Sequence, residues 1–283
     1  MDASLPFPKF SSQPYEVIEE RLKVHEYRDQ TIKAYLGQLR NFLFFILPRD
    51  PHEASNQDLE DYLRYLNTNN KSRSTIDQAI NALRFLWTKV FDQKFPLSEV
   101  ERPEMKERTP VLLTLEEVRK IALSAENLKH RLMIELAYSA GLRVSELVEV
   151  KVKEINLKTN NLLVKGNGIK RKGRTTIFSR SLSDAILRQI GKKESEDYLF
   201  PSERGGKLTT RAFAKYFKAA LDISGIGKNA TPHSLRHSFA AFLLQQGAKV
   251  PTVQNLMGHS RRESTNFYTK MANPDTEETK KSA

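Results

Sequence analysis

The sequence predicts a mainly α-helical protein with a small antiparallel β-sheet, divided into two domains. Three observations support this prediction. Long segments place apolar residues at helical spacing, only three short segments alternate as strands do, and a proline-containing, charged stretch separates the two halves. A length of 283 residues is consistent with two domains.

The N-terminal segment, residues 1–95, predicts a small module of four helices. They are expected at 15–27, at 29–47, after a Ser55 cap, and at 72–90. Six basic residues are expected on the outer faces, where they either grip phosphates or are ordinary solvated charges: Lys33, Arg40, Lys71, Arg73, Arg84 and Lys89.

Residues 96–110 predict a linker, since Pro96, Pro103 and Pro110 occur there among charges without periodicity. The second domain then spans 111–283, with a free tail from about residue 272. Its expected helices lie near 114–124, 130–140, 145–148, 181–190, 209–223, from 232 onwards, 250–257 and 264–270. Its expected strands lie at 151–157, 162–165 and 175–178. Residues 114–117 are a capping box for the first of these helices, and Gly141 is expected to end the second.

The helix after Thr231 carries the strongest local signal for a binding site. Thr231 can cap it and Pro232 suits the first helical position. His233 and Arg236 stand three apart and share a face, next to backbone N–H groups that favour an anion. This predicts a phosphate site; taken alone, however, the motif is more often typical of histidines that satisfy hydrogen bonds in a core.

The stretch 165–174 predicts a flexible hairpin tip that contacts nucleic acid. It contains three glycines and five basic residues without an acid. The whole chain has a formal net charge of +12, which favours a polyanionic partner, although a basic solvated surface would look the same.

Composition excludes several classes of protein. The absence of cysteine rules out disulfides and thiolate metal sites, and no histidine spacing typical of zinc occurs. The longest apolar run, 42–47, is too short for a bilayer, and the N-terminus lacks the pattern of a signal peptide. A cytoplasmic protein without a membrane partner is therefore expected.

Four sequence islands in order resemble the tyrosine recombinase (phage-integrase-type) family, and most closely its Xer branch of chromosome-dimer resolvases. They are residues 140–147 with Arg143, the His233–Arg236 helix, residues 256–260 with His259, and residues 265–270 with Tyr268. Each island alone has a structural explanation: Arg143 as a helix-end partner of Glu146, His259 as a cap residue, Tyr268 as a half-buried aromatic. The ordered set is much more specific than any single island, and the resemblance covers nearly the whole chain, including the N-terminal helical module.

The resemblance implies a core-binding (SAM-like) helical module followed by a catalytic domain. It further implies that Arg143 and Arg236 clamp a phosphate, that Tyr268 is the nucleophile, that His233 is the general base and that His259 hydrogen-bonds the phosphate. A hairpin lysine would protonate the leaving 5′-oxygen. Lys165 matches the family's Lys-Gly-Asn pattern, but the hairpin is about two residues longer than usual, so Lys172 remains the alternative.

The implied function is site-specific DNA recombination through a 3′-phosphotyrosyl intermediate, without metal or nucleotide cofactor. The expected partners are double-stranded DNA with a specific recombination site, three further copies of the chain in a tetramer on two duplexes, and a DNA translocase. Resolution of chromosome dimers is the leading interpretation. Integration of a mobile element, a type IB topoisomerase-like activity and a non-enzymatic DNA-binding regulator are the alternatives.

Overall fold

A computed structural model of the chain describes residues 13–27, 29–95, 110–166 and 173–258. Within these ranges the fold is mainly α-helical with one three-stranded antiparallel sheet, as the sequence predicts. The chain divides into two compact units, Met1–Glu107 and Arg108–Ala283. Across the described ranges, no helix combines the length and the apolar character that a membrane span requires.

The first unit consists of four helices whose apolar faces meet in one core. They are α1 (Gln13–Val24), α2 (Asp29–Ile46), α3 (Asn56–Thr68) and α4 (Arg73–Phe85), and α4 continues into a π-helical turn, Leu86–Val90. Phe42 lies at the centre, with ring centroids 5.3 Å from Tyr62 and 5.8 Å from Trp87. The predicted Ser55 cap is confirmed, since Ser55 Oγ accepts from the Asp58 N–H and the Ser55 N–H donates to the Asp58 carboxylate.

Five of the six basic residues expected on the outer faces of this unit are exposed. The exception is Arg73, which is half-buried and lies 3.7 Å from the Asp77 carboxylate one turn along α4. Arg84 is exposed and its guanidinium lies 5.3 Å from the centroid of the Phe95 ring. The charge of Arg73 is therefore partly balanced by Asp77 within the same helix.

The second unit is built around α6, most of whose apolar residues are buried beneath three neighbouring helices. Its helices are α5 (Leu115–Leu123), α6 (Leu128–Ser139), α7 (Val144–Leu147), α8 (Ser183–Ile190), α9 (Thr210–Ser224), α10 (Pro232–Gln245) and α11 (Val250–Met257). The α5, α9 and α10 helices pack against α6. The predicted capping box before α5 is present, because Thr114 Oγ1 accepts from the Glu117 N–H and the Thr114 N–H donates to Glu117.

Gly141 ends α6 and lets α10 approach closely. It has a φ of +58°, and a Cβ built there would lie 2.5 Å from Phe239 Cδ1 and 2.9 Å from Met257 Sδ. The predicted role of Gly141 at the helix end is confirmed, and the close approach explains why a side chain does not fit.

The sheet has the order β1 (Ile155–Asn156), β2 (Asn161–Val164), β3 (Arg174–Ile177), with both pairs antiparallel. Val164 pairs with Arg174, so the ladder ends where the glycine-rich tip begins. Leu162, Val164 and Thr176 point into the core, and Thr176 Oγ1 donates to the Ala140 carbonyl.

The strand expected over residues 151–157 is wrong in its first half. Residues Val152–Glu154 form a 3₁₀ turn, and only Ile155–Asn156 join the sheet. The Lys151 N–H donates to the Glu154 carboxylate at 2.9 Å, and the Val152 N–H donates to the Asp197 carbonyl. These local and loop hydrogen bonds replace the ladder that alternation alone suggested.

Several expected segments lie outside the described residues. They are most of the linker, the hairpin tip at 167–172, the helix expected at 264–270 and the tail from about 272.

Candidate active site

Arg143 lies at the junction of α6 and α7, where the chain turns after Gly141. Its own N–H donates to Glu146 Oε2 at 2.8 Å, and its Nη1 donates to Glu146 Oε1 at 2.6 Å. Its Nη2 donates to the Gly258 carbonyl oxygen at 3.1 Å. Arg143 thus pairs with Glu146, as the structural explanation suggested, and also holds the end of α11.

Arg236 lies on the first turns of α10 and is only 5% exposed. Its Nη1 donates to the Gly141 carbonyl at 2.5 Å and its Nη2 donates to the Met257 carbonyl. Nη1 also lies 3.6 Å from Glu146 Oε2. The structure therefore brings Arg143 and Arg236, 93 positions apart in the sequence, to opposite oxygens of one carboxylate.

A third guanidinium, which in the sequence is only one of the basic residues of the hairpin, completes this cluster. Arg174, the first residue of β3, donates through Nη1 and Nη2 to the two oxygens of Glu146, both at 2.8 Å. Its Nε donates to the Leu256 carbonyl at 2.7 Å. Its side chain is 11% exposed, so it belongs to the interior of the site rather than to the hairpin tip.

Glu146 is the common partner of the three arginines and was missed as a site residue. Burial acts to raise the pKa of its carboxyl, but the hydrogen bonds and charge of Arg174, the Arg143 N–H and the charge of Arg236 outweigh burial and lower the pKa to about 2. The group is ionised at every physiological pH. Three guanidinium groups around one carboxylate leave a formal surplus of two positive charges, which suits an anionic ligand.

The same arginines hold the C-terminal end of α11. The carbonyls of three consecutive residues, Leu256, Met257 and Gly258, accept from Arg174, Arg236 and Arg143 respectively. Helix C-termini leave such carbonyls without intrahelical donors and carry partial negative charge. The cluster therefore fixes the point from which the chain continues towards residue 259.

His233 and His237 follow each other along α10, with ring centroids 6.3 Å apart. His233 is exposed to solvent. Its pKa is nevertheless lowered, first by partial burial and then by the positive charges of Arg236 and Arg143, while Glu146 acts in the opposite direction. Burial and the neighbouring His233 lower the pKa of His237 to about 4. Both imidazoles are therefore held towards the neutral form.

Lys165 follows β2 and is paired away from this cluster. Its Nζ lies 2.8 Å from Glu154 Oε1, and the Glu154 side chain is 6% exposed against 59% for Lys165. The hydrogen bond to Glu154 and its charge raise the pKa of Lys165. Its ion pair is therefore with Glu154 and not with Glu146, the carboxylate at the centre of the arginine cluster.

The remaining candidates, His259, Tyr268 and Lys172, lie outside the described residues.

The sequence contains weak signals that could have identified Glu146 and Arg174 as site residues. Glu146 stands three positions after Arg143, the spacing of a helix-start ion pair, and Arg174 is the basic residue at the inward-facing end of a strand.

Comparison with known sequences supports the assignment of both units. The chain matches the phage integrase family over residues 112–274 and the N-terminal SAM-like domain of phage integrases over residues 15–97. It is 32% identical over 258 residues to a tyrosine recombinase XerD of Listeria monocytogenes serotype 4b (strain F2365), covering 84% of this chain and 87% of that protein. It is 30% identical over 312 residues to an integrase/recombinase of Escherichia coli, covering 94% and 92%.

Solved structures agree with this fold. The crystal structure of XerA recombinase is 25% identical, with a TM-score of 0.54 over 94% of this chain and 97% of that chain. The Tn1549 transposon integrase in complex with transposon right end DNA is 19% identical, with a TM-score of 0.74 over 95% and 99%. A λ integrase tetramer bound to a Holliday junction is 19% identical, with a TM-score of 0.73 over 90% and 76%. The chain therefore belongs to the phage integrase family of tyrosine recombinases, with a SAM-like domain in front of the catalytic domain.

Proposed function

We propose that this chain is a site-specific recombinase that cuts and rejoins duplex DNA through a 3′-phosphotyrosyl intermediate. The observation that carries the proposal is the convergence of Arg143 and Arg236 on Glu146, beside the end of α11. Two preorganised guanidiniums with surplus positive charge suit the non-bridging oxygens of a phosphodiester. In the sequence, the proposed nucleophile Tyr268 follows Gly258, the end of α11, by ten positions.

The proposed reaction is a transesterification at phosphorus. The Tyr268 phenolic oxygen attacks, its proton goes to His233, and the bond from phosphorus to the 5′-oxygen breaks. A neutral imidazole is the form that accepts a proton, which fits the lowered pKa of His233. Arg143, Arg236 and His259 hold the phosphate as negative charge grows on it.

The departing 5′-oxygen needs a proton, and we assign Lys165 as its donor, with Lys172 as the alternative. In the DNA-free structure the ion pair with Glu154 raises the pKa of Lys165, which makes it a weaker acid. Lys165 is exposed, so it can leave Glu154 when a phosphate competes for its charge. The assignment therefore requires a change of partner on DNA binding.

The proposed partners are double-stranded DNA with a specific site and other copies of the chain, working as a tetramer on two duplexes. The net charge of +12 supports binding to a polyanion. Among the structural relatives, XerH is seen bound to a palindromic difH substrate and λ integrase as a tetramer on a Holliday junction. A DNA translocase partner and a cytoplasmic location belong to the same proposal.

Resolution of chromosome dimers is our proposed biological role, supported by similarity to several XerD proteins. The integrase/recombinase relatives support integration of a mobile element as the second candidate. The two roles differ in the number and the position of the recombination sites that they require. A dimer resolvase needs one site per chromosome, because exchange between its two copies restores monomers, whereas an integrase needs a site at the end of an element.

The test begins with duplexes selected from a random library by binding to the full-length protein. The selected sequence is then made with a nick beside each candidate cut position, so that the short 5′-hydroxyl strand diffuses away and the covalent complex accumulates. We expect a denaturing gel to show protein linked to a DNA 3′-end, with residue 268 as the linked residue on peptide mapping.

Three outcomes would contradict the proposal in different ways. DNA binding without any covalent complex would favour the DNA-binding regulator. Covalent complex with relaxation of supercoiled DNA, but no strand exchange between two duplexes, would favour the topoisomerase-like activity. Linkage at another residue would overturn Tyr268 as the nucleophile while leaving the reaction class intact.

A further inference from the structure

We propose that Arg174 is a positioning residue of the cleavage reaction, which acts through Glu146 and through the end of α11 on the two arginines that hold the phosphate. This inference rests on the proposed function of the same site. It assigns a role in catalysis to a residue of the hairpin whose own guanidinium does not touch the DNA.

The contacts of Arg174 direct its guanidinium to protein oxygens rather than to solvent. Each of its three guanidinium nitrogens donates to a protein oxygen: Nη1 and Nη2 to Glu146, and Nε to Leu256. With 11% of the side chain exposed, little of it faces solvent. Whatever Arg174 does for the reaction, it does through these partners.

The two parallel hydrogen bonds to Glu146 fix the plane of its carboxylate. That plane determines where Arg143 lies, because Oε1 accepts from Arg143 Nη1 and Oε2 accepts from the Arg143 N–H. Oε2 also lies 3.6 Å from Arg236 Nη1. A lysine at position 174 would keep the positive charge but could not make the planar two-bond contact and the Nε bond together.

Arg174 is itself held in place from two sides. Its backbone pairs with Val164 at the end of the β2–β3 ladder. Its side chain runs under Gly258, where an added Cβ would lie 2.8 Å from Arg174 Cδ. The strand, the carboxylate and the helix end therefore define one conformation for this side chain, which is what a positioning residue requires.

The test compares wild type, Arg174→Lys, Glu146→Gln and the double variant on the nicked duplex described above. Single-turnover cleavage is measured at saturating DNA, with the dissociation constant for the duplex and the melting temperature measured in parallel. Arg188→Lys is the matched control, because Arg188 is an exposed arginine on α8 outside the cluster.

We expect Arg174→Lys to lower the cleavage rate constant at least tenfold while changing the dissociation constant by less than about threefold. Since Arg174 acts through Glu146, the double variant should be about as slow as the slower single variant, not slower by the product of the two effects. Arg188→Lys should behave as wild type.

A purely structural role predicts a different result. The melting temperature and the cleaved fraction would fall in Arg174→Lys, but the rate constant of the folded fraction would stay at the wild-type value, and this would overturn the proposal. Multiplicative effects in the double variant would also overturn it. If wild type cleaves and Arg174→Lys cleaves equally fast, only this inference fails; if wild type traps no DNA, the proposed function fails and this inference with it.

Discussion

Arg143 Nη2 donates to the Gly258 carbonyl oxygen at 3.1 Å, which joins the start of α7 to the end of α11 across 115 positions of sequence. The same guanidinium pairs with Glu146 through Nη1. One side chain therefore links the carboxylate at the centre of the arginine cluster to the point where the chain continues towards the proposed nucleophile.

Arg143 and Arg236 should both be needed for cleavage but should differ in their effect on stability. Replacement of either by Ala should slow single-turnover cleavage roughly a hundredfold or more, as loss of a preorganised transition-state donor does. Arg236→Ala should also lower the melting temperature more than Arg143→Ala, because Arg236 is more deeply buried, 6% against 19% exposed.

Lysine variants at these two positions provide the control for charge. Arg→Lys keeps the charge but loses the planar fork, so it should not restore cleavage fully. Wild-type cleavage rates in Arg143→Lys or Arg236→Lys would show that the clamp assignment is wrong.

Tyr268→Phe should bind the selected duplex as wild type does and form no covalent complex, because the change removes only the phenolic oxygen that attacks phosphorus. Binding is measured by titration and linkage by denaturing gel. Tyr216, a half-buried tyrosine on α9 outside the motif, is a matched control, and Tyr216→Phe should retain covalent trapping. Trapped DNA on the Tyr268→Phe protein would identify another nucleophile.

Glu146 should make the stability of the second unit depend on pH in the acid range. Its pKa is lowered from 4.5 to about 2, so its contribution is fully present above pH 4.5 and is lost as the pH falls towards 2. At 1.36 kcal/mol per unit the contribution is about 3 kcal/mol. The unfolding free energy of Glu146→Gln, measured with denaturant, should therefore fall less between pH 5 and pH 2 than that of wild type.

Glu146→Gln should also destabilise the protein at neutral pH, since it leaves three buried or half-buried guanidiniums without their counter-ion. An unfolding free energy equal to that of wild type at pH 7, together with an unchanged acid dependence, would show that the carboxylate is not the centre of the cluster.

The assignment of the leaving-group acid should be decided by a substrate whose departing 5′-oxygen is replaced by sulfur. A thiolate leaves without protonation because its pKa is far below that of an alcohol. Lys165→Ala should cleave normal DNA slowly and the sulfur substrate at nearly the wild-type rate, while Lys172→Ala should be close to wild type on both. If the two variants exchange behaviour, Lys172 is the acid.

Gly141→Ala should lower the unfolding free energy of the second unit by more than the cost of placing an alanine at a positive φ. A left-handed alanine costs about 1 kcal/mol, and overpacking against Phe239 and Met257 adds roughly 1–3 kcal/mol. Gly225 is the matched control, because it has a φ of +68° but nothing within 4 Å of an added Cβ. Equal losses of unfolding free energy in Gly141→Ala and Gly225→Ala would contradict the close approach of α6 and α10.

Several helices were predictable because they carry a local signal. Ser55 and Thr114 cap their helices through their own side chains, Pro232 begins α10, and Gly141 ends α6. The first half of the segment at 151–157 was not predictable, since its N–H groups donate to Glu154 and to carbonyls around residue 197, and only the folded chain brings that loop near.

Arg143 and Arg236 were predictable from motifs, whereas Glu146, their common partner, and Arg174 were not. Arg143 and Arg236 stand in recognisable sequence islands, so their roles could be inferred before any geometry. Arg174 looked like one more charge in a basic hairpin. Its separation from the tip depends on the strand register that turns it inwards beside Val164, a long-range property that composition does not carry.

The pairing of Val164 with Arg174 also bears on how such a hairpin can change over evolutionary time. The ladder closes before the glycine-rich tip begins, so residues inserted or deleted between 166 and 173 leave the register of Arg174 untouched. During evolution the tip can therefore vary in length and in its number of basic residues without changing the arginine cluster around Glu146. The tip is therefore free to adapt towards a different DNA.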